Sequence, residues 1–313
     1  MPSSLGPTPI PTPLLGLSSA LYRAVNLCHL YARQARPVAL VGPPGVGADA
    51  FAWLLHELSG RSGRFVTAAL DEVDPGATAD PNTDTSAREC DPAAPPVVLR
   101  RAAGGTLYLD GLARSSHQAQ RRVLRLLEGS RTAALAQRLV VGSEQPLDEL
   151  VSCGVLLPEL RRTIGPRVIP IPPLAERWED IPVLAHHYLT RLRARLGGAV
   201  AARISAVAMR RLMSYPWPEN LAELEQAIEE AVARAGRAAV LEPEHFPEPI
   251  AALAPAELPF DPGAHQALVS WAIEEAGGRW DEATAMIGLL PQTHGSRPAP
   301  GPAPDGAPGP ERQ

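Results

Sequence analysis

Residues Pro37 to Leu58 constrain the fold more than any other stretch of the chain. Pro37-Val38-Ala39-Leu40-Val41 is a short continuous apolar run, the pattern of a strand buried on both faces of a parallel sheet. It leads straight into Gly42-Pro43-Pro44-Gly45-Val46-Gly47. A helix follows, with Phe51, Leu54, Leu55 and Leu58 at the i, i+3, i+4, i+7 spacing of one buried face. Strand, glycine loop and helix make the βα unit of a nucleotide-binding sheet. A second apolar strand, Thr106-Leu107-Tyr108-Leu109-Asp110, follows Gly104-Gly105 and ends in a carboxylate. A helix around Val123, Leu124 and Leu127 and a strand at Leu139-Val140-Val141 continue the rhythm, so the fold class is α/β with a parallel sheet.

Composition narrows the function. The 313 residues are 45% hydrophobic, enough for one ordinary core and a smaller second domain. The net charge is −5, which excludes a polycation that wraps nucleic acid or coats a membrane. No apolar run approaches the roughly 18 residues that span a bilayer, and the first residues lack the layout of a signal peptide. Three widely spaced cysteines, Cys28, Cys90 and Cys153, form neither a disulfide framework nor a metal-ligand pattern. A reduced, cytoplasmic protein is expected. The chain contains no lysine, so all 29 basic residues are arginine and any lysine-dependent mechanism is excluded.

Proline and helical periodicity mark the organisation. Residues 1–14 read as a disordered arm, and a helical pattern within Leu15 to Arg36 carries Leu21, Val25, Cys28 and Tyr31. Residues 71–98 are expected to be a mobile acidic loop, because from Asp71 to Pro96 acidic residues outnumber arginine seven to one. The core is expected over 15–175 and a helical unit over 176–250. In the latter, Ser205 opens a helix with Val207 and Leu212 facing in. Asn220 and Glu223, at capping-box spacing, open another that stops at Gly236. A linker at 251–263, short helices within 264–290 and a disordered Pro/Gly tail at 291–313 complete the chain.

A phosphate-binding loop uses glycines so that backbone N–H groups turn inward at a helix N-terminus, a lysine to reach the outer phosphates, and a hydroxyl for magnesium. Gly42, Gly45 and Gly47 keep that spacing, but Ala48 stands at the lysine position and Asp49 at the hydroxyl position. The simplest account is a tight strand-to-helix turn, with Asp49 helping to seat the helix.

Three segments carry a family resemblance. Gly104 to Asp110 resembles the Walker B strand of the AAA+ domain of sigma-54-dependent transcriptional activators. Pro172-Pro173-Leu174-Ala175-Glu176-Arg177-Trp178-Glu179-Asp180-Ile181-Pro182 resembles that family's P-P-L-x-E-R-x-E-D-I-P segment. Tyr215-Pro216-Trp217-Pro218-Glu219-Asn220-Leu221-Ala222-Glu223-Leu224-Glu225 is similar to its Y-P-W-P-G-N-x-R-E-L-E signature. The resemblance covers Leu15 to about Phe246 and implies a three-layer AAA+ core with an all-α lid. Ala264 to Gly288 resembles the first two helices of a Fis-type helix-turn-helix. The recognition helix due near Pro291 dissolves into the Pro/Gly tail, so specific DNA reading is not expected.

Carried over by position, the resemblance implies a nucleotide site stripped of its chemistry. The P-loop lysine is Ala48, the catalytic glutamate after Asp110 is Gly111, and the polar sensor near Ser143 falls on Glu144. The two arginine fingers fall on Leu157 and Thr163, with Arg161 and Arg162 nearby, and the lid arginine is Ala222. No G-A-F-T-G-A loop lies between Phe65 and Gly104, so sigma-54 contact is not expected either. The degenerate nucleotide site comprises Gly42, Gly45, Gly47, Ala48, Asp49 and Asp110, with no catalytic residue and no metal ligand set. No cofactor is required, and weak ATP or ADP binding is left open by the surviving glycines. The expected function is regulation of transcription by a pseudo-ATPase that associates with copies of itself or with intact AAA+ homologues. With no sensory domain in the sequence, its input would come from a partner. The alternatives are an active ATP-dependent sigma-54 activator that binds DNA, and a decaying paralogue. His186-His187, the neighbours Cys28 and His29, and Arg191, Arg193 and Arg195 read as packing or solvated residues rather than sites.

Overall fold

Side chains on a strand alternate between faces, and here both faces of the sheet are apolar. The computed structural model describes residues 14–70, 97–129, 137–197, 201–254, 262–279, 282–283 and 286–287. Five strands, β1 (Val38–Val41), β2 (Phe65–Ala69), β3 (Thr106–Asp110), β4 (Arg138–Ser143) and β5 (Val168–Pro170), form one sheet in the order β2-β3-β4-β1-β5. Every pairing is parallel, with Val38 opposite Val140 and Leu107 opposite Leu139. Ala39, Leu107, Leu109, Leu139 and Val141 point to one face. There they meet α3 (Val97–Arg101), α4 (His117–Gly129), α5 (Leu147–Ser152) and α6 (Pro158–Ile164). Val38, Leu40, Tyr108 and Val140 point to the other, against α1 (Ser19–Ala32) and α2 (Ala48–Ser59). Helices on both faces are what buried parallel strands require.

Arg138 is fully buried at the start of β4. Its guanidinium donates to the carbonyls of Tyr31 (2.7 Å) and Ala32, the unsatisfied carboxyl end of α1, and more weakly to Leu55 of α2 (3.4 Å). Burial lowers its pKa to about 10, far above neutrality, so the cation persists with helix carbonyls as its partners. Arg138→Met should orphan those carbonyls and lower the unfolding free energy by about 3 kcal/mol, read from urea denaturation.

The second unit is helical: α7 (Ile181–Arg195), α8 (Ala206–Ser214), α9 (Asn220–Ala235) and the short α10 (Glu248–Ala251), with β6 (Arg203–Ile204) pairing β7 (Val240–Leu241). Ser205 caps α8 through its hydroxyl. Val207, expected inside, is 37% exposed; Ala208, Met209, Leu212 and Met213 take the buried face. Asn220 does not cap α9. It sits at φ 55°, and its side chain is drawn away to other segments, leaving Glu223 to accept from Glu219 N–H and Tyr215 hydroxyl (both 3.0 Å). Of the acidic loop expected over 71–98, Val97 and Val98 belong instead to α3. Residues 71–96, the arm to residue 13 and the tail from 288 lie outside the described residues, as does the expected start of the recognition helix.

Helix α11 (Pro262–Glu275) and the turn after it pack into the helical unit's core. Leu268, Ala272, Ala276, Ala283 and Ile287 belong to one apolar cluster with Leu184, Met209, Ile228 and Leu241. His186 of α7 lies beneath this segment, its ring 5.9 Å from that of Trp271, hydrogen-bonded to the backbone of Met286. Burial pulls its pKa down to about 4, so the folded protein holds it neutral. The unfolded chain takes up that proton near pH 6.5, so stability is full above pH 6.5 and falls as pH drops towards 4. His186→Leu should flatten that part of the acid limb, followed by tryptophan fluorescence.

Candidate functional site: a glycine loop clamped by the lid

Gly42 ends β1, and its N–H donates to Ser143 carbonyl on β4 (3.1 Å), which starts the loop at the carboxyl edge of the sheet. Gly45 and Gly47 have φ of 76° and 86°, a left-handed backbone that glycine adopts without strain. A Cβ at Gly45 would stand 2.2 Å from Glu219 carbonyl oxygen, so a side chain there would push the lid away. Gly47 is the N-cap of α2 without a side-chain cap, and Asp49 lies exposed in the first turn. Asp49 therefore helps seat the helix through its charge at the dipole's positive end, not as a cap.

The loop's carbonyls are taken by the helical unit. Asn220 Nδ2 donates to Pro44 carbonyl (2.8 Å), Leu221 N–H to Gly45 carbonyl (3.0 Å) and Arg177 to Val46 carbonyl (3.1 Å). Asn220 Oδ1 accepts from Leu174 N–H (2.8 Å), so one buried side chain joins three distant segments. Next to it, buried Asp180 accepts from Leu17 N–H (2.5 Å), Ser18 N–H (2.7 Å) and Ser18 hydroxyl (2.8 Å), fastening the entry to α1. Burial raises its pKa, with those hydrogen bonds and Arg177 opposing. The loop's N–H groups stay uncommitted: from Gly45 to Asp49 none finds a backbone acceptor among the described residues. These N–H groups lie at the amino end of α2, and Ala48 rather than a lysine opens that helix.

Asp110 ends β3, exposed, and accepts from the Tyr108 hydroxyl (3.2 Å). Burial, then the carboxylates of Asp110 and Asp49, push the Tyr108 pKa up, which sets both carboxylates in the field of one phenol. Gly111 has φ 82° and begins a 3-10 turn, Leu112–Arg114. A Cβ there would stand 3.7 Å from the guanidinium of Arg114, which pairs with Glu144 at 3.1 Å. Ser143 hydroxyl donates to Gln145 carbonyl (2.6 Å), leaving Glu144 at the sensor position. Leu157 packs against the apolar cluster and Thr163 hydroxyl turns back to Glu159 carbonyl. Arg161 is pinned by Asp148 (2.8 and 3.2 Å) and Gly165 carbonyl (2.7 Å), which holds the Asp148 carboxyl below its usual pKa. Arg162 is 75% exposed, with a single 3.5 Å contact to Glu159. Ala222 faces solvent. Among the described residues no cluster of His, Cys, Asp or Glu could hold a metal ion. No described helix is long and apolar enough to cross a membrane.

A five-stranded parallel sheet with a glycine loop after β1, a carboxylate at the end of β3 and a helical lid over the loop defines an AAA+ module of the P-loop NTPase type. The sigma-54 interaction domain family matches residues 15–174, about half the chain, and the AAA+ ATPase lid domain family matches 175–259. The chain belongs to the sigma-54 interaction domain family and is related to sigma-54-dependent transcriptional regulators. It is 30% identical to the transcriptional regulatory protein ZraR of Salmonella typhimurium over 311 residues, covering 90% of this chain and 67% of that protein. It is 32% identical over 232 residues to the nitric oxide reductase transcription regulator NorR1 of Cupriavidus necator, covering 71% of this chain and 45% of that one. NtrX from Brucella abortus, solved in complex with ATP, superposes with a TM-score of 0.64 at 23% identity, covering 90% of this chain and 67% of that one. The chain spans about half the length of several curated relatives it matches.

Asn220, Arg177 and Arg114 were not expected as site residues. The signature segments placed the first two, but only the fold shows what they hold, and nothing in the sequence singles out Arg114. Gly111→Glu should lower stability by about 1–2 kcal/mol, since a side chain at φ 82° is strained. Ala48→Lys with Gly111→Glu should still release no phosphate from ATP, because the left-handed turn aims the new carboxylate at Arg114. Denaturation and a phosphate-release assay check the pair.

Proposed function

We propose that this chain is a non-hydrolysing regulator of transcription that acts by associating with copies of itself or with intact AAA+ relatives. The observation that carries the reading is the state of position 111: a glycine in a left-handed turn, with an arginine beside it where a proton-accepting carboxylate would be needed. Ala48, Leu157, Thr163 and Ala222 supply no charge at the remaining positions that the family resemblance singles out. An arginine finger alone is worth roughly 10³–10⁵ in phosphoryl-transfer rate, so loss of fingers, lysine and base together leaves no useful turnover. Weak ATP or ADP binding without hydrolysis fits the uncommitted N–H groups of the loop. The absence of a G-A-F-T-G-A sequence and of a recognition-helix sequence argues for protein partners rather than sigma-54 or a specific DNA site.

Magnesium-ATP incubated with the pure chain should give no phosphate release above the buffer blank. Added in excess to an active family member, the chain should lower that protein's ATPase rate by inserting subunits without fingers. Steady turnover abolished by Asp110→Ala would overturn the reading.

A further inference from the structure

Parallel α/β sheets take ligands at the carboxyl ends of their strands, where the following loops diverge. The order β3-β4-β1 sets three segments side by side at that edge: Gly111 to Arg114, Ser143 to Gln145, and the glycine loop. Adjacent strands lie about 4.8 Å apart, so the ends of β3 and β1 are separated by about 10 Å, a gap that an arginine side chain and one phosphate bridge. Arg114 stands at this edge with its side chain 67% exposed. One Nη contacts Glu144 at 3.1 Å, and the other N–H donors of the fork are uncommitted among the described residues.

We propose that Arg114 is the phosphate-binding cation of this site, meeting the terminal phosphate of a polyphosphate whose inner phosphates lie on the N–H groups of Gly45 to Asp49. The proposal deepens the nucleotide-binding part of the function above and rests on it. The chain has no lysine, and Ala48 leaves the nest without a cation of its own. Asp49 and Asp110 add negative charge there, sensed together by Tyr108. Arg114 offsets that charge at the same strand edge. Its guanidinium can take two phosphate oxygens at once, and its permanent charge cannot accept the proton of an attacking water. Binding without cleavage follows from the residue type. Glu144 holds the guanidinium in place and competes with phosphate for it. The shared ligand chemistry is a run of three phosphates, from a nucleoside triphosphate or from inorganic polyphosphate.

Calorimetric titration of the full chain with magnesium-ATP, magnesium-ADP and inorganic tripolyphosphate tests this in wild type, Arg114→Ala, Arg114→Lys and Glu144→Gln. Arg114→Ala should weaken ATP and tripolyphosphate by about tenfold and leave ADP within about twofold, the loss of one charge-assisted contact to the outer phosphate. Arg114→Lys should restore part of that loss, and Glu144→Gln should tighten ATP several-fold by removing the competing carboxylate. Tighter ATP than tripolyphosphate assigns the ligand as a nucleotide; equal affinities assign it as polyphosphate. An ATP-to-ADP affinity ratio unchanged by Arg114→Ala overturns the proposal, as does a wild-type chain that binds none of the three. Phosphate release in the same samples would overturn the non-hydrolysing reading alone, because the affinity ratio still judges Arg114.

Discussion

The glycine loop is gripped from its carbonyl side, and the arrangement of core and lid follows from that grip. Pro44, Gly45 and Val46 each give a carbonyl to a donor from a distant part of the chain: Asn220, the Leu221 backbone and Arg177. Asn220 also holds Leu174, and Asp180 a few residues on holds Ser18 at the start of α1. Buried polar groups must find partners or lose more than a hydrogen bond is worth. These groups find each other, and Asn220, Leu221 and Arg177 thereby register the lid on the core.

The two sides of the loop now have separate fates. Its carbonyl side is a structural joint. Its N–H side remains an open cradle with carboxylates nearby and no lysine. The residues that join lid to core, Asn220, Leu221 and Arg177, are distinct from Ala48, Gly111, Leu157, Thr163 and Ala222, the positions that the family resemblance singles out for chemistry. Gly111 shows the separation at one position. Its left-handed backbone carries the chain into the turn that delivers Arg114, a conformation a catalytic glutamate would strain to adopt.

Local pattern was enough for elements whose burial is one-dimensional. The runs Val38–Val41 and Thr106–Asp110 read as strands because both faces are covered, and Phe51 and Leu55 read as a core face because α2 presents one. Pattern failed where a side chain's partner comes from elsewhere in the chain. Asn220 has the spacing of a cap, but a stronger demand for partners came from Pro44 and Leu174. His186 is partly packed, as one of its two sequence readings had it, but that its partner is Trp271 of α11 is recorded in no local pattern. Nothing in the sequence marks Arg138, and only the convergence of two helices on its guanidinium explains a buried cation.

The sequence by itself determined the parallel sheet, the glycine loop and the absence of any lysine, because strand burial, turn chemistry and residue type are read one segment at a time. It also carried the family signature, since those segments are contiguous. Which carboxylate Arg114 pairs with, which amide joins lid to core and where the last helix packs were decided only in three dimensions. Each depends on contacts between residues tens to more than a hundred positions apart, and no local periodicity records them.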